Sequence, residues 1–172
     1  MKIAIISDTH GNVANFKKAV NWLKKEKIDT LLHCGDIGDP ESLKESLIDF
    51  DGEFLGVLGN MDKDFKIELK EYQNSRTRVT EEVLETEFGN PSASSGQVKI
   101  AIIHKPDQAE KLAESGKYDL VFYGHTHRPW EDKVGDCRVI NPGELAGQIN
   151  KPTFAIYDTD TDELELKILE KL

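Results

Sequence analysis

Three short apolar runs in the first sixty residues, each parted from the next by a helical pattern, constrain the fold of this 172-residue chain more than any other feature. Residues 2–6, 30–34 and 53–58 have the length and composition of strands. Between the first two, Val13, Phe16, Val20 and Leu23 form a helical stripe across residues 12–26. Between the second and third, Pro40-Glu41-Ser42 opens a helix expected to carry Leu43, Leu47 and Ile48 on one face. Strand, loop, helix, strand in succession predicts a largely parallel α/β sheet.

The pattern continues less regularly. Residues 64–73 read as a helix and residues 77–88 as short β stretches. "GNPSASSG" at 89–96 reads as a turn or hairpin loop, being too short for a domain linker. A strand over 98–103 ends at His104, a helix over 106–116 closes on glycine, and a strand over 119–123 ends at Gly124-His125-Thr126-His127. The last third is β: residues 137–140, an Asn-Pro-Gly turn at 141–143, residues 153–157 and residues 163–169. In the final run Leu164, Leu166 and Ile168 alternate with charged neighbours, as in a half-exposed strand. With neither internal repeat nor boundary, residues 1–172 are expected to form one domain.

Charge and cysteine usage narrow the function. The net charge of -10, from 32 acidic against 22 basic residues, disfavours extended nucleic acid and anionic membrane surfaces as partners. A small phosphorylated ligand requires only a local reversal of sign. Cys34 and Cys137 stand far apart and outside any CxxC spacing, so they read as two reduced thiols. The start shows no basic-plus-apolar leader, and no apolar run approaches the roughly 20 residues a bilayer span needs. The expectation is a soluble, cytoplasmic protein.

The residues at the ends of the strands are more specific. Asp8 and His10, Asp36, Asn60, His104, and His125 and His127 all stand just after predicted strands, whose carboxyl ends line one edge of a parallel sheet. Singly, each is an ordinary turn or packing residue. Together they take four of the chain's five histidines, with two aspartates and one asparagine. Nitrogen and oxygen donors without thiolate suit Mn, Fe, Co, Ni or Zn. Seven donors exceed what one such ion takes from protein, whereas two ions about 3.5–4 Å apart, sharing one carboxylate, would use them all.

In their order, "DTH", "GD", "GN", "IIH" and "GHTH" resemble the signature of the calcineurin-like metallophosphoesterases, across residues 8 to 127. The modest length and the Asn-Pro-Gly turn are similar to that family's compact YfcE-like phosphodiesterase branch. The resemblance implies a four-layer αββα sandwich. It implies one metal held by Asp8, His10 and His127, a second held by Asn60, His104 and His125, and Asp36 bridging them through its two carboxylate oxygens. Catalysis would pass through Asp36, Asn60 and His125 by way of the metals, with a metal-bridging hydroxide attacking a small phosphodiester. Manganese is the first expectation, with Ni, Fe, Co and Zn as alternatives. Two divalent ions, two aspartates and a hydroxide leave a centre of about +1, matched to a diester monoanion.

One position departs from the pattern. Many members of the wider family carry histidine after the asparagine, where it can protonate the leaving oxygen; here Met61 stands there. General-acid help is worth about 10²–10⁴-fold, so activated aryl or cyclic diesters are expected to react best. The alternatives are a non-catalytic, retromer-subunit-like binding scaffold, which eroded ligands would favour, and a phosphomonoesterase or protein phosphatase.

Other residues have competing readings. Asn12 is either a substrate contact or a helix N-cap. Asp39 and Asp62 are surface turn carboxylates or orient the histidines from behind. Arg128 reads first as a surface salt bridge and second as a phosphate contact. His33, inside a strand, reads as a hydrogen-bonded core residue. Tyrosine and tryptophan are too scattered for a base-stacking platform. A homo-oligomer is left open.

Overall fold

The three apolar runs that open the chain are strands, and their two faces go to different neighbours. A computed structural model describes residues 1–89 and 96–172. In β1 (Lys2–Ile6), Ile3 and Ile5 point into one apolar cluster while Ala4 and Ile6 point into another. Burial on both sides explains why the run is apolar throughout instead of alternating. The same holds for β2 (Thr30–His33) and β3 (Glu53–Val57).

Between them lie α1 (Val13–Glu26) and α2 (Pro40–Ser46). Asn12 caps α1 by accepting from Asn15 N–H, and the helix closes at Lys27 in a left-handed conformation, φ 58°. Its stripe of Phe16, Ala19, Val20 and Leu23 is buried. Asp39 caps α2, which ends at Ser46. Leu43 and Leu47 are buried as expected, but Ile48 is 72% exposed. The helix stops two residues earlier, so helical spacing no longer aims that side chain inward.

The helix expected over 64–73 is a 3-10 turn, Lys63–Phe65, followed by α3 (Lys66–Glu71), with only Leu69 buried. Next come β4 (Thr77–Thr80) and β5 (Leu84–Gly89). β5 pairs antiparallel with β6 (Gln97–Ile102), Gly89 opposite Gln97. The loop expected between them falls on residues 90–95, outside the described residues. The chain continues through α4 (Pro106–Glu114), β7 (Leu120–Phe122), β8 (Trp130–Val134), β9 (Cys137–Asn141), β10 (Thr153–Asp158) and β11 (Glu163–Ile168).

The strands form two sheets, in the orders β11-β10-β1-β2-β3-β4 and β5-β6-β7-β9-β8. The first is parallel from β1 to β4, with β10 and β11 antiparallel. The second is parallel through β6, β7 and β9 and antiparallel at both edges. The single largely parallel sheet expected from alternation alone is therefore two mixed sheets. This agrees with the sandwich that the motif resemblance implies.

Three apolar clusters define four layers. Phe16, Val20 and Leu23 of α1 and Leu43 of α2 cover one face of the first sheet through Ala4, Ile6, Leu31 and Phe54. Between the sheets lie Ile3, Ile5, Leu32 and Val57 from one side and Ile100, Ile102, Leu120 and Phe122 from the other. Ala109 and Ala113 of α4 cover the outer face of the second sheet on Ala101, Ile103 and Val121. Each fully buried Ile, Leu or Phe contributes about 1.5–3 kcal/mol, so the middle layer fixes the two sheets face to face. Among the described residues, no helix is long and apolar enough to cross a membrane.

Candidate metal centre

Parallel strands within each sheet send their carboxyl ends the same way, and the loops after neighbouring strands are tied to one another. Asp8 N–H donates to Gly35 O at 3.0 Å, His10 N–H to Asp36 O at 2.9 Å, and Gly11 N–H to Ile37 O at 2.9 Å. In the second sheet Gly124 N–H donates to His104 O at 3.1 Å. The two sheets meet where His125 N–H faces both carboxylate oxygens of Asp8, at 3.1 and 3.2 Å.

These loops carry backbone strain. Asp8, His10, Asp36, His125 and His127 all have positive φ, between 45° and 69°. Such conformations cost on the order of 1–3 kcal/mol each for residues with a side chain. Five of the seven residues singled out from sequence therefore hold an unfavourable backbone that tertiary contacts must impose.

The glycines of the motifs are slots for side chains from other loops. A Cβ on Gly35 would stand 2.6 Å from His104 Nδ1, one on Gly59 would stand 2.0 Å from Asp36 Oδ1, and one on Gly124 would stand 2.0 Å from Ser7 Oγ and 2.7 Å from Asp8 Oδ2. Each small residue beside a polar one in "GD", "GN" and "GH" is thus required by a neighbour distant in sequence.

All seven residues converge, in two halves. Asp8, His10, Asp36 and His127 each offer a donor atom, the four lying within 4.8 Å of one another. Nε2 of His10 is 3.2 Å from Nε2 of His127, which is 3.4 Å from Asp8 Oδ1. On the other side Asn60 Oδ1 lies 3.0 Å from His104 Nε2 and 2.8 Å from His125 Nδ1. Asp36 Oδ2 faces both halves, 3.4 Å from His104 Nε2 and 3.8 Å from His10 Nε2. Its other oxygen, Oδ1, accepts from Met61 N–H at 2.8 Å. Oδ1 of Asp36 thus has a backbone partner, and Oδ2 is the oxygen that faces both halves.

Proton placement shows what the cluster fits. His104 Nδ1 lies 2.8 Å from Cys34 O; a carbonyl only accepts, so Nδ1 carries the proton. In the neutral ring Nε2 is then a bare lone pair, aimed at the oxygens of Asn60 and Asp36. His127 Nδ1, otherwise without a partner, faces Glu144 Oε2 at 3.2 Å. The contact is not aligned as a hydrogen bond, but a carboxylate there favours the proton on Nδ1, which leaves the Nε2 lone pair towards His10 and Asp8. Once the protons on the inner ring nitrogens are given up, these nitrogens and oxygens around two adjoining spaces are the donor set of divalent cations of borderline or hard character.

Charge points the same way. Burial raises the Asp8 carboxyl above the usual aspartate range. At Asp36 burial pushes upward too, but the hydrogen bond and charge of His104 outweigh it and the net shift is downward. Burial depresses His104 while Asp36 lifts it, and the lift prevails. Two buried carboxylates and a cluster of imidazoles thus lean on one another for charge, a burden that cations would relieve.

Glu144 is the residue that sequence reasoning passed over. It is fully buried and accepts from the backbone N–H groups of Gln148 (2.7 Å), Ile149 (2.8 Å) and Asn150 while facing His127. The three amides hold its carboxyl below the usual glutamate range against the opposing effect of burial. An acidic residue inside the apolar stretch "GELAG" was the available signal. The preceding turn also supports the site: Asn141 Nδ2 donates to Gly124 O at 2.8 Å and to Thr126 Oγ1 at 3.0 Å.

The other candidates sort themselves. Asn12 accepts from Asn15 N–H and donates to Ala146 O at 2.9 Å, so both ends of its amide serve the fold. Asp39 caps α2 through Ser42. Asp62 is neither a surface carboxylate nor a histidine's support: it is fully buried and accepts from Ile37, Gly38 and Gly59 N–H, stapling two of the loops together. Arg128 has no carboxylate within ion-pair distance among the described residues; its guanidinium lies 5.6 Å from the centre of the Trp130 ring. His33 is a core residue as expected, its Nδ1 accepting from Gly35 N–H at 3.1 Å and its Nε2 lying 2.9 Å from Thr9 Oγ1. Burial pulls its pKa down to about 3. The Met61 side chain is 61% exposed.

Residues 1–162 match the calcineurin-like phosphoesterase superfamily domain. Phosphodiesterase MJ0936 of Methanocaldococcus jannaschii is 35% identical over 99% of this chain and 100% of its own length. The solved structure of an archaeal phosphodiesterase superposes with a TM-score of 0.83 at 32% identity, covering 98% of this chain and 99% of that one. The Escherichia coli phosphoesterase Yfce, at 16% identity, shares the fold, with a TM-score of 0.67 over 98% of this chain and 100% of that one.

Proposed function

This chain belongs to the calcineurin-like phosphoesterase superfamily, and from that premise we propose that residues 1–172 are a single-domain, binuclear metal-dependent phosphodiesterase acting on small phosphodiesters. Asp8, His10 and His127 hold one divalent ion, and Asn60, His104 and His125 hold the other. Asp36, whose Oδ2 faces both halves, would be shared between them. Manganese is the first choice of metal, with Ni, Fe, Co or Zn as alternatives that the donor set also admits. Two free, buried thiols in separate apolar clusters, Cys34 and Cys137, fit a reducing compartment such as the cytoplasm.

When bound, such a pair of ions supplies Lewis acidity towards a phosphoryl oxygen and brings the pKa of water down towards about 7. The chain's own residues do the rest. Cys34 O and Glu144 fix the tautomers of His104 and His127, so the lone pairs need no rearrangement. Asp62 and the glycine slots hold the loops in their strained conformations. His125 is exposed and stands with Asn60 at the open side, where substrate approaches. Met61 turns its side chain outward and has no proton to give, so the leaving oxygen departs unassisted. Aryl and cyclic phosphodiesters are therefore the favoured class.

The convergence of all seven donors around one shared carboxylate oxygen carries this reading, and it argues against a scaffold role, for which the donors would be superfluous. The experiment is a panel of divalent ions given back to chelator-stripped protein, with mono- and diester substrates and a metal count per chain. Two ions per chain and a preference for the diester are expected. Saturation at one ion refutes the binuclear centre, and preference for the monoester refutes the substrate class.

A further inference from the structure

A cavity of about 310 Å³ opens directly beside Asn60 and His104. A larger one, about 640 Å³, lies against α2 and β4 and touches none of the seven residues. Size therefore does not single out the smaller cavity; its position does. Its walls carry Lys63, Lys66, Lys105 and Gln108, opposed by Glu81, Glu82 and Asp62, the last with its oxygens taken up by three backbone N–H groups. Lys66 is paired with Glu81, which Lys70 also approaches at 3.4 Å. Lys63 and Lys105 are exposed and have no carboxylate within ion-pair distance among the described residues.

In a chain of net charge -10, this cavity balances three lysines against three carboxylates, and two of its ammonium groups stand exposed without an ion-pair partner. Lys105 follows His104 directly, and Lys63 stands three residues beyond Asn60, so both cations are tethered to loops that present reacting groups. Resting on the phosphodiesterase reading above, we propose that this cavity binds a second phosphate carried on one ester arm of the substrate. Lys63 and Lys105 are its cationic contacts and Gln108 its amide donor. The volume sits at the low end of small-ligand pockets, about 300–1,000 Å³. That admits a sugar-sized spacer with its phosphate and no extended polymer. Glu82, exposed and outside any ion pair among the described residues, faces the same space and tempers the attraction, as Asp62 does from beneath.

Thymidine 5′-(p-nitrophenyl phosphate) and its 3′-phosphorylated derivative share the reacting diester and leaving group and differ by one phosphate. With manganese-loaded protein, kcat/KM should favour the 3′-phosphorylated compound by about tenfold, equivalent to ~1.4 kcal/mol. The ratio should fall towards one in the Lys63→Ala/Lys105→Ala double variant, recover when both lysines are arginine, and rise in Glu82→Gln. Salt should lower it, because the contacts are exposed to solvent.

A second measurement is independent of activity and of metal. Calorimetry should detect thymidine 3′,5′-bisphosphate binding to chelator-stripped wild type, at least about tenfold weaker in the double variant. A ratio of one in wild type, or a ratio unchanged in the double variant, overturns the subsite and leaves the phosphodiesterase reading intact. Hydrolysis of neither compound overturns that reading instead, and the calorimetric comparison then decides the subsite alone.

Discussion

Glu144→Gln isolates how the chain holds one histidine ready. The glutamate uses Oε1 for Ile149 and Asn150 N–H and Oε2 for Gln148 N–H and His127 Nδ1. A glutamine keeps its oxygen where two amides demand it and so turns its NH₂ towards Gln148 N–H and His127 Nδ1. Donor then faces donor at both. The ring relieves its clash by moving its proton to Nε2, which removes the lone pair that faces Asp8 and His10. Loss of such an outer partner costs about 10–100-fold in metal affinity, or ~1.4–2.7 kcal/mol. The stranded Gln148 N–H adds a stability loss of about 1–3 kcal/mol. The two effects separate by assay: urea unfolding of stripped protein reads the second, and manganese titration of folded protein reads the first. The expected pattern is unequal, with one of two ions weakened and the other, on the His104 side, close to wild type. Folded Glu144→Gln protein that binds both ions as tightly as wild type would refute the tautomer argument.

Asp36→Asn should weaken both ions together, by at least the 10–100-fold seen for outer-shell losses, because one oxygen serves both; His127→Ala should damage chiefly one, and metal counts on dialysed protein distinguish them. Met61→His should flatten the dependence of rate on leaving-group pKa, since general-acid help of about 10²–10⁴-fold benefits poor leaving groups most; a dependence already flat in wild type contradicts the reading. His33 should stay neutral in the fold down to pH about 3. Because its folded pKa lies below the ordinary value of 6.5, its contribution to stability is complete above pH 6.5 and is lost as pH falls, about 2 kcal/mol by pH 5. A ring resonance titrating above pH 5 in NMR spectra would contradict that burial.

Much of this arrangement was legible because it rests on runs and adjacencies. A strand buried on both faces must be apolar throughout, so β1, β2, β3 and β7 stand out, and the polar residues just after them mark the site. The illegible part depends on partners distant in sequence. β8 is exposed along nearly its whole length, so no alternation marks it, and its charged residues suit an edge strand that must not pair further. Two sheets instead of one could not be inferred from alternation, because the antiparallel strands that close each sheet come from the β-rich last third and from the segment before β6. Asp62 looks like a surface acid in a linear reading, and although the apolar neighbours of Glu144 hint at burial, nothing beside either residue in sequence reveals the three backbone N–H groups that each one gathers.

The glycines show how the two kinds of information meet. "GD", "GN" and "GH" are each a common turn pair, yet Gly35 leaves room for His104, Gly59 for Asp36 and Gly124 for Asp8. Each motif's small residue is thus the negative imprint of another motif's donor, which is why the pairs mean little singly and much in combination. The same interlocking explains where the strain is stored. Five donors hold left-handed backbone, which is uncommon outside glycine although Asp and His tolerate it better than most residues, and the stapling carboxylates of Asp62 and Glu144 bind the surrounding amides that keep those loops in place. The fold thus gives up stability to turn nitrogen and oxygen donors towards one centre, the arrangement that divalent cations would satisfy.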